Sequence, residues 1–190
     1  MNLSSLNLPN ILTLLRLVLS PLLLPICLVN YLPYNNFFVN ILLALLFLVL
    51  SLTDFLDGYI ARKYNLETEF GRAIDPIADK FLVISTLISL LAVNKIFFFW
   101  VIILIGRELF MMGLRQIALE NKFSIKVSVY GKIKTVFQVI MLTLIILNPS
   151  QGLALSSLWN ISEGILIFIT ISLSLFSAVQ YFLSFKKQLN

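Results

Sequence analysis

Histidine is absent from this 190-residue chain, cysteine occurs once, and charged residues make up only 12% of it. Without histidine there can be no zinc–histidine centre, no Ser-His triad and no imidazole general base, so carboxylates, lysines and arginines are left to carry any chemistry. The lone thiol, Cys27, excludes an intrachain disulfide and reads as a small apolar side chain within an apolar run. The scarcity of charge excludes an ordinary soluble domain, in which about a quarter of residues are charged. Hydrocarbon is what the chain has instead. Hydrophobic residues make up 59% of it, the mean hydropathy is +0.99, and the apolar runs continue around every helical face, as lipid demands of a solute.

The expected fold is therefore an all-α integral membrane protein. A crossing helix needs about 20 apolar residues, and six such segments are expected: Ile11–Val29, Phe37–Tyr59, Ile74–Val93, Phe97–Ala118, Val129–Leu147 and Leu158–Phe185. Pro21 and Pro25 are expected to kink the first, whose opening NLPNILTLLR suits the membrane interface. No repeat, low-complexity stretch or soluble domain interrupts residues 1–190, so one membrane-embedded catalytic domain is expected. The first base is Arg16, so the N-terminal stretch lacks the basic start of a secretory signal and is expected to be retained.

The 14 Lys and Arg residues set the orientation, because basic residues accumulate on the cytoplasmic side. With both termini cytoplasmic, the outer loops near Asn35, Asn94 and Gln151 contain only Lys95, and every other base falls at or near the inner face. Trp100 and Trp159 then sit near the outer boundary.

Most of the acids gather between Asp54 and Asp79, where the second segment reaches the inner boundary and the third leaves it. Asp54 and Asp57 share a helical face that Gly58 and Ala61 continue, with Arg62 following at the boundary, while Gly71, Asp75 and Asp79 recur every four residues. Two antiparallel helices joined by KYNLETEF would set Asp54 near the depth of Asp79, and Asp57 near that of Asp75. Four converging carboxylates repel one another in low dielectric unless protons or cations neutralise them, and ions at membrane depth are costly enough to imply function. Oxygen donors without His or Cys select magnesium, manganese or calcium, and a pair of such ions suits phosphoryl chemistry. Taken singly, Gly58, Ala61 and Gly71 read as helix-packing residues and Arg62 as a boundary anchor. Their fixed spacing around four aspartates favours a site.

Asp54-x2-Asp57-Gly58-x2-Ala61-Arg62-x8-Gly71-x3-Asp75-x3-Asp79 resembles the complete signature of the CDP-alcohol phosphatidyltransferases. NLPNILTLLR, AIDPIADK, IGRELFMMGLR and GKIKTVFQ are similar to the bacterial branch of that family that makes phosphatidylglycerophosphate. The resemblance implies a six-helix, homodimeric enzyme of the cytoplasmic (inner) membrane with no nucleic-acid partner, using two divalent cations, Mg2+ or Mn2+. It implies transfer of a phosphatidyl group from CDP-diacylglycerol to sn-glycerol 3-phosphate with release of CMP. Asp54, Asp57 and Asp75 would hold the metals, and Asp79 would complete their shell or act as the catalytic base. Asp57, Gly58, Ala61, Arg62, Gly71 and Asp75 would bind the CDP-lipid.

The acceptor is a dianion and needs cations. Arg107 and Arg115 lie eight apart, roughly on one helical face, and Lys132 and Lys134 open the fifth segment. These four are the expected acceptor-phosphate residues, Lys132 slightly ahead of Lys134, whereas Lys122, Lys126, Lys186 and Lys187 read as topology anchors. Asn10, Thr13 and Arg16 are second-tier candidates at the cavity mouth, and Glu67, Glu69 and Glu163 are not assigned to the site. A cardiolipin synthase or a phosphatidylinositol phosphate synthase of the same family would share the signature. A transporter with buried carboxylates would have no need of the Gly, Ala and Arg positions at their spacing.

Overall fold

In a computed structural model the described residues are 22–63, 69–121, 129–148 and 156–189, with the side chains of 54–79, 156–157 and 189 outside the description. Among them the regular structure is helical, with no strand. After α1 (residues 22–31) and a 3₁₀ turn at Leu32–Tyr34 come α2 (Phe37–Lys63), α3 (Glu69–Ala92), α4 (Phe98–Glu120), α5 (Val129–Leu147) and α6 (Ser156–Leu189). The helices outlast several of the expected spans: α2 runs on to Lys63 and α3 starts at Glu69. Hydropathy marks where a helix leaves lipid, whereas its backbone hydrogen bonds continue into the polar boundary. The expected segment Ile11–Val29 lies mostly outside the described residues, and Pro25 falls within α1.

The polarity of the surface is inverted relative to a soluble protein. Phe38, Leu42, Val129 and Phe168 are 66% or more exposed, while Asn40, Thr86, Glu108, Lys134, Gln138, Thr170 and Ser174 are buried. Water would oppose both halves of that pattern, and lipid favours both. Several hydroxyls close onto their own helices: Thr86 Oγ1 donates to the Leu82 carbonyl at 2.7 Å, Ser89 Oγ to that of Ser85 at 2.7 Å and half-buried Thr143 Oγ1 to that of Val139 at 2.8 Å. Val129–Leu147 and Leu158–Gln188 are each long and apolar enough to cross a bilayer. In α4, 23 residues long, Arg107, Glu108 and Arg115 interrupt the apolar run.

The chain forms two compact units, Met1–Lys95 with Ile146–Gln151, and Ile96–Ile145 with Gly152–Asn190. In the first, α2 packs on α3, with Leu43, Ala44 and Phe47 of α2 and Leu82, Leu87 and Leu90 of α3 buried. Turns at Asn35 and Asn94 take left-handed conformations, φ 52° and 56°, which asparagine tolerates better than most residues. Lys95 Nζ donates to the Asn148 carbonyl at 2.6 Å and Asn40 Nδ2 to the same oxygen at 3.4 Å. The one base expected on the outer side thus caps the C-terminal end of α5, where the helix dipole favours a cation.

In the second unit α4 packs on α6 through Met111, Leu114 and Ala118 against Ala178, Tyr181 and Phe185, each set at spacings of three and four. Arg107 meets Ser174 and Ser177, and Phe110 meets Phe182 with ring centroids 6.2 Å apart, so both chains ascend together. Parallel α4 and α6 require α5 to run back between them. Small residues on the α6 face, Ser174, Ser177 and Ala178, let the helices approach closely enough for dispersion contacts to hold them in lipid.

Candidate functional site

The signature residues occupy the facing ends of a helical hairpin in the first unit. Asp54, Asp57, Gly58, Ala61 and Arg62 lie on α2, and Gly71, Asp75 and Asp79 on α3. Asp57 stands six residues before Lys63 and Asp75 six after Glu69; Asp54 stands nine before and Asp79 ten after. At a rise of about 1.5 Å per residue the two inner aspartates lie about 9 Å from the hairpin's end and the two outer ones about 14–15 Å. The spacings expected from sequence therefore fall on continuous helices. The side chains of these eight residues lie outside the description, as do Asn10, Thr13 and Arg16 altogether.

The second unit holds the described part of the site. α4 brings Arg107 and Glu108 into a seam closed by α5 and α6. Glu108 is 2% exposed and Lys134 is 2% exposed. Glu108 Oε1 accepts from Lys134 Nζ and, at 3.1 Å, from Arg107 Nη1. Arg107 continues across to α6, donating from Nε to the Ser174 carbonyl at 3.2 Å and from Nη2 to Ser177 Oγ at 2.7 Å. Ser177 Oγ in turn donates to the Ser174 carbonyl at 3.0 Å, closing a small ring of bonds around the guanidinium. Three charges held this way, two positive and one negative, are net positive. Such a cluster in a membrane segment is expensive unless every member is satisfied.

Arg107 also borders a groove of about 570 Å³ between α4 and α6, lined otherwise by apolar residues that include Ile103, Phe110, Leu175 and Phe182. Gly106 lies on its wall, where a Cβ would meet nothing within 4 Å. Of the four expected acceptor-phosphate residues, the structure joins Arg107 and Lys134 through one carboxylate, whereas Arg115 and Lys132 are exposed. The expected order of the two lysines is reversed for membership of this cluster. Lys132 and Lys134 are two positions apart, about 200° around the helix, so only one can face inward.

Glu108, Ser174 and Ser177 were not assigned from sequence. A signal for Glu108 exists in its being the one acid within the apolar part of α4, adjacent to Arg107. For α6 the signal is a polar stripe, Thr170, Ser174 and Ser177, at spacings of four and three within an otherwise greasy helix.

The sequence model of CDP-alcohol phosphatidyltransferases matches residues 6–176, a range that includes every residue of both clusters except Ser177. The chain is 40% identical over 181 residues to a CDP-diacylglycerol–glycerol-3-phosphate 3-phosphatidyltransferase of Rickettsia felis, covering 95% of this chain and 96% of the relative. It is 40% identical over 176 residues to the enzyme of the same name from Rickettsia typhi, covering 93% and 95%. To that from Salmonella typhimurium it is 34% identical over 183 residues, covering 92% of each.

Proposed function

Because the chain belongs to the CDP-alcohol phosphatidyltransferase family, we infer that it transfers the phosphatidyl group of CDP-diacylglycerol to sn-glycerol 3-phosphate, giving phosphatidylglycerophosphate and CMP. The observation that carries this reading is the complete aspartate signature on α2 and α3 in a chain similar over 95% of its length to a relative named for that reaction.

The donor chemistry fits two divalent cations, Mg2+ or Mn2+: four aspartates on two helices that pack together, in a chain with no histidine. Asp54, Asp57 and Asp75 are the residues to hold them, with Asp79 completing the shell or serving as base. When bound, such ions offset the charge of the diphosphate and of the leaving oxygen. Gly58, Ala61 and Gly71 leave room for the CDP group beside the backbone, and Arg62 offers it a planar fork. The acceptor hydroxyl oxygen bonds to the phosphorus carrying diacylglycerol as that phosphorus loses its bond to CMP. CMP departs with the bonding pair, and in its role as base Asp79 takes the hydroxyl proton. Arg107 and Lys134, which share the Glu108 carboxylate, are assigned to the acceptor's phosphate.

Six crossings with both termini cytoplasmic, in the inner membrane, complete the proposal as one catalytic domain. Its support is the parallel course of α4 and α6, helix lengths of 19 to 34 residues from α2 to α6, and the asymmetric placement of Lys and Arg. Homodimerisation is proposed from the family resemblance. The test is detergent-purified protein given CDP-diacylglycerol and, in parallel, labelled glycerol 3-phosphate, phosphatidylglycerol and inositol phosphate. Label is expected in lipid from glycerol 3-phosphate with one CMP released per lipid formed. Incorporation from phosphatidylglycerol alone would move the assignment to cardiolipin synthesis.

A further inference from the structure

We propose that Glu108 is a positioning residue for acceptor use: one carboxylate oxygen sets the placement of both cations, Lys134 and Arg107, that receive the acceptor's phosphate. The proposal rests on the reading of those two bases given above.

The geometry separates this role from that of a simple counter-ion. A counter-ion to Lys134 would need only the Lys134–Glu108 pair, yet the same Oε1 also accepts from Arg107 Nη1 at 3.1 Å. The other edge of the guanidinium is fixed to α6 through the Ser174 carbonyl and Ser177 Oγ. The plane of Arg107 is thus defined from two helices, with Glu108 its charged partner on the α4 side. Among the described residues, three of the five N–H groups of the guanidinium are engaged in these bonds. Arg107 is the member of the cluster that borders a groove, beside Gly106. Buried ionic clusters are commonly no more stable than apolar packing of the same volume, so stability does not account for three charges in this seam. A fixed, net-positive fork is what recognition of a dianion requires.

The experiment compares wild type, Lys134→Met, Glu108→Asp and the double variant Glu108→Gln/Lys134→Met, the last chosen because it removes the lysine together with the carboxylate it pairs with. Steady-state rates are measured against glycerol 3-phosphate and against CDP-diacylglycerol. Expected is a KM for glycerol 3-phosphate in the double variant about tenfold above that of Lys134→Met, the scale of one lost charge-assisted hydrogen bond, with the KM for CDP-diacylglycerol unchanged. Glu108→Asp, which keeps the carboxylate, is expected to fall between wild type and the double variant. Equal KM values for the double variant and Lys134→Met would reduce Glu108 to a counter-ion and overturn the proposal. If wild type fails to use glycerol 3-phosphate, the acceptor reading itself falls and this inference falls with it.

Discussion

Removing the two ends of the Glu108–Lys134 pair should have unequal consequences for stability. In Glu108→Gln, the Lys134 and Arg107 side chains, 2% and 8% exposed, lose their shared carboxylate and leave two cations facing each other. Removing one partner of a buried ion pair costs about 3–5 kcal/mol. In Lys134→Met the carboxylate keeps Arg107 Nη1 at 3.1 Å, so no charge is stranded. The loss is then one charge-assisted bond, about 1.5–3 kcal/mol, partly offset by a flexible thioether filling much of the lysine's space. The difference, about 2 kcal/mol, is about 30-fold in the unfolding equilibrium. Equilibrium unfolding in mixed detergent micelles, followed by far-ultraviolet circular dichroism, reads it directly. Equal losses, or a greater loss for Lys134→Met, would refute the shared-carboxylate arrangement.

Arg107→Ala should raise the KM for glycerol 3-phosphate by about 10- to 100-fold, the loss expected for charge-assisted bonds to a phosphate, with CDP-lipid binding little affected; an unchanged acceptor dependence would remove Arg107 from that role. Asp57→Asn and Asp75→Asn should each lower turnover by at least about 10²-fold while the protein still inserts in the membrane, and chelation of divalent ions should do the same to wild type reversibly. Wild-type rates in either variant would contradict the metal assignment. On a Cys27→Ala background, Tyr34→Cys should react with an impermeant thiol reagent from outside intact cells and Lys187→Cys only after the membrane is opened. The opposite pattern would invert the proposed topology.

The helical course was legible because lipid leaves so few options: an apolar run of sufficient length has to satisfy its own backbone, and the expected Val129–Leu147 coincides with α5. The ends of α2 and α3 were less legible, since Ile60–Lys63 and Glu69–Ala73 belong to helices but carry the boundary's polar composition. The aspartate signature could be read because its members are close in sequence and helical periodicity alone gives their faces. The Glu108–Lys134 contact joins residues 26 apart on different helices, which no local periodicity encodes. The pointer to Lys134 over Lys132 was Gln138, four residues further along α5 and buried on the same face. Lys95 read only as an exception to the charge rule, although its ammonium closes a helix end.

The most direct test of the central claim is an experimental structure of the protein with manganese, in which anomalous scattering locates the ions independently of the protein density. The account predicts two peaks about 4 Å apart, within ligand distance of the carboxylates of Asp54, Asp57 and Asp75, with Asp79 beside them. Carboxylates directed into lipid or away from one another, with manganese absent or bound elsewhere, would contradict it.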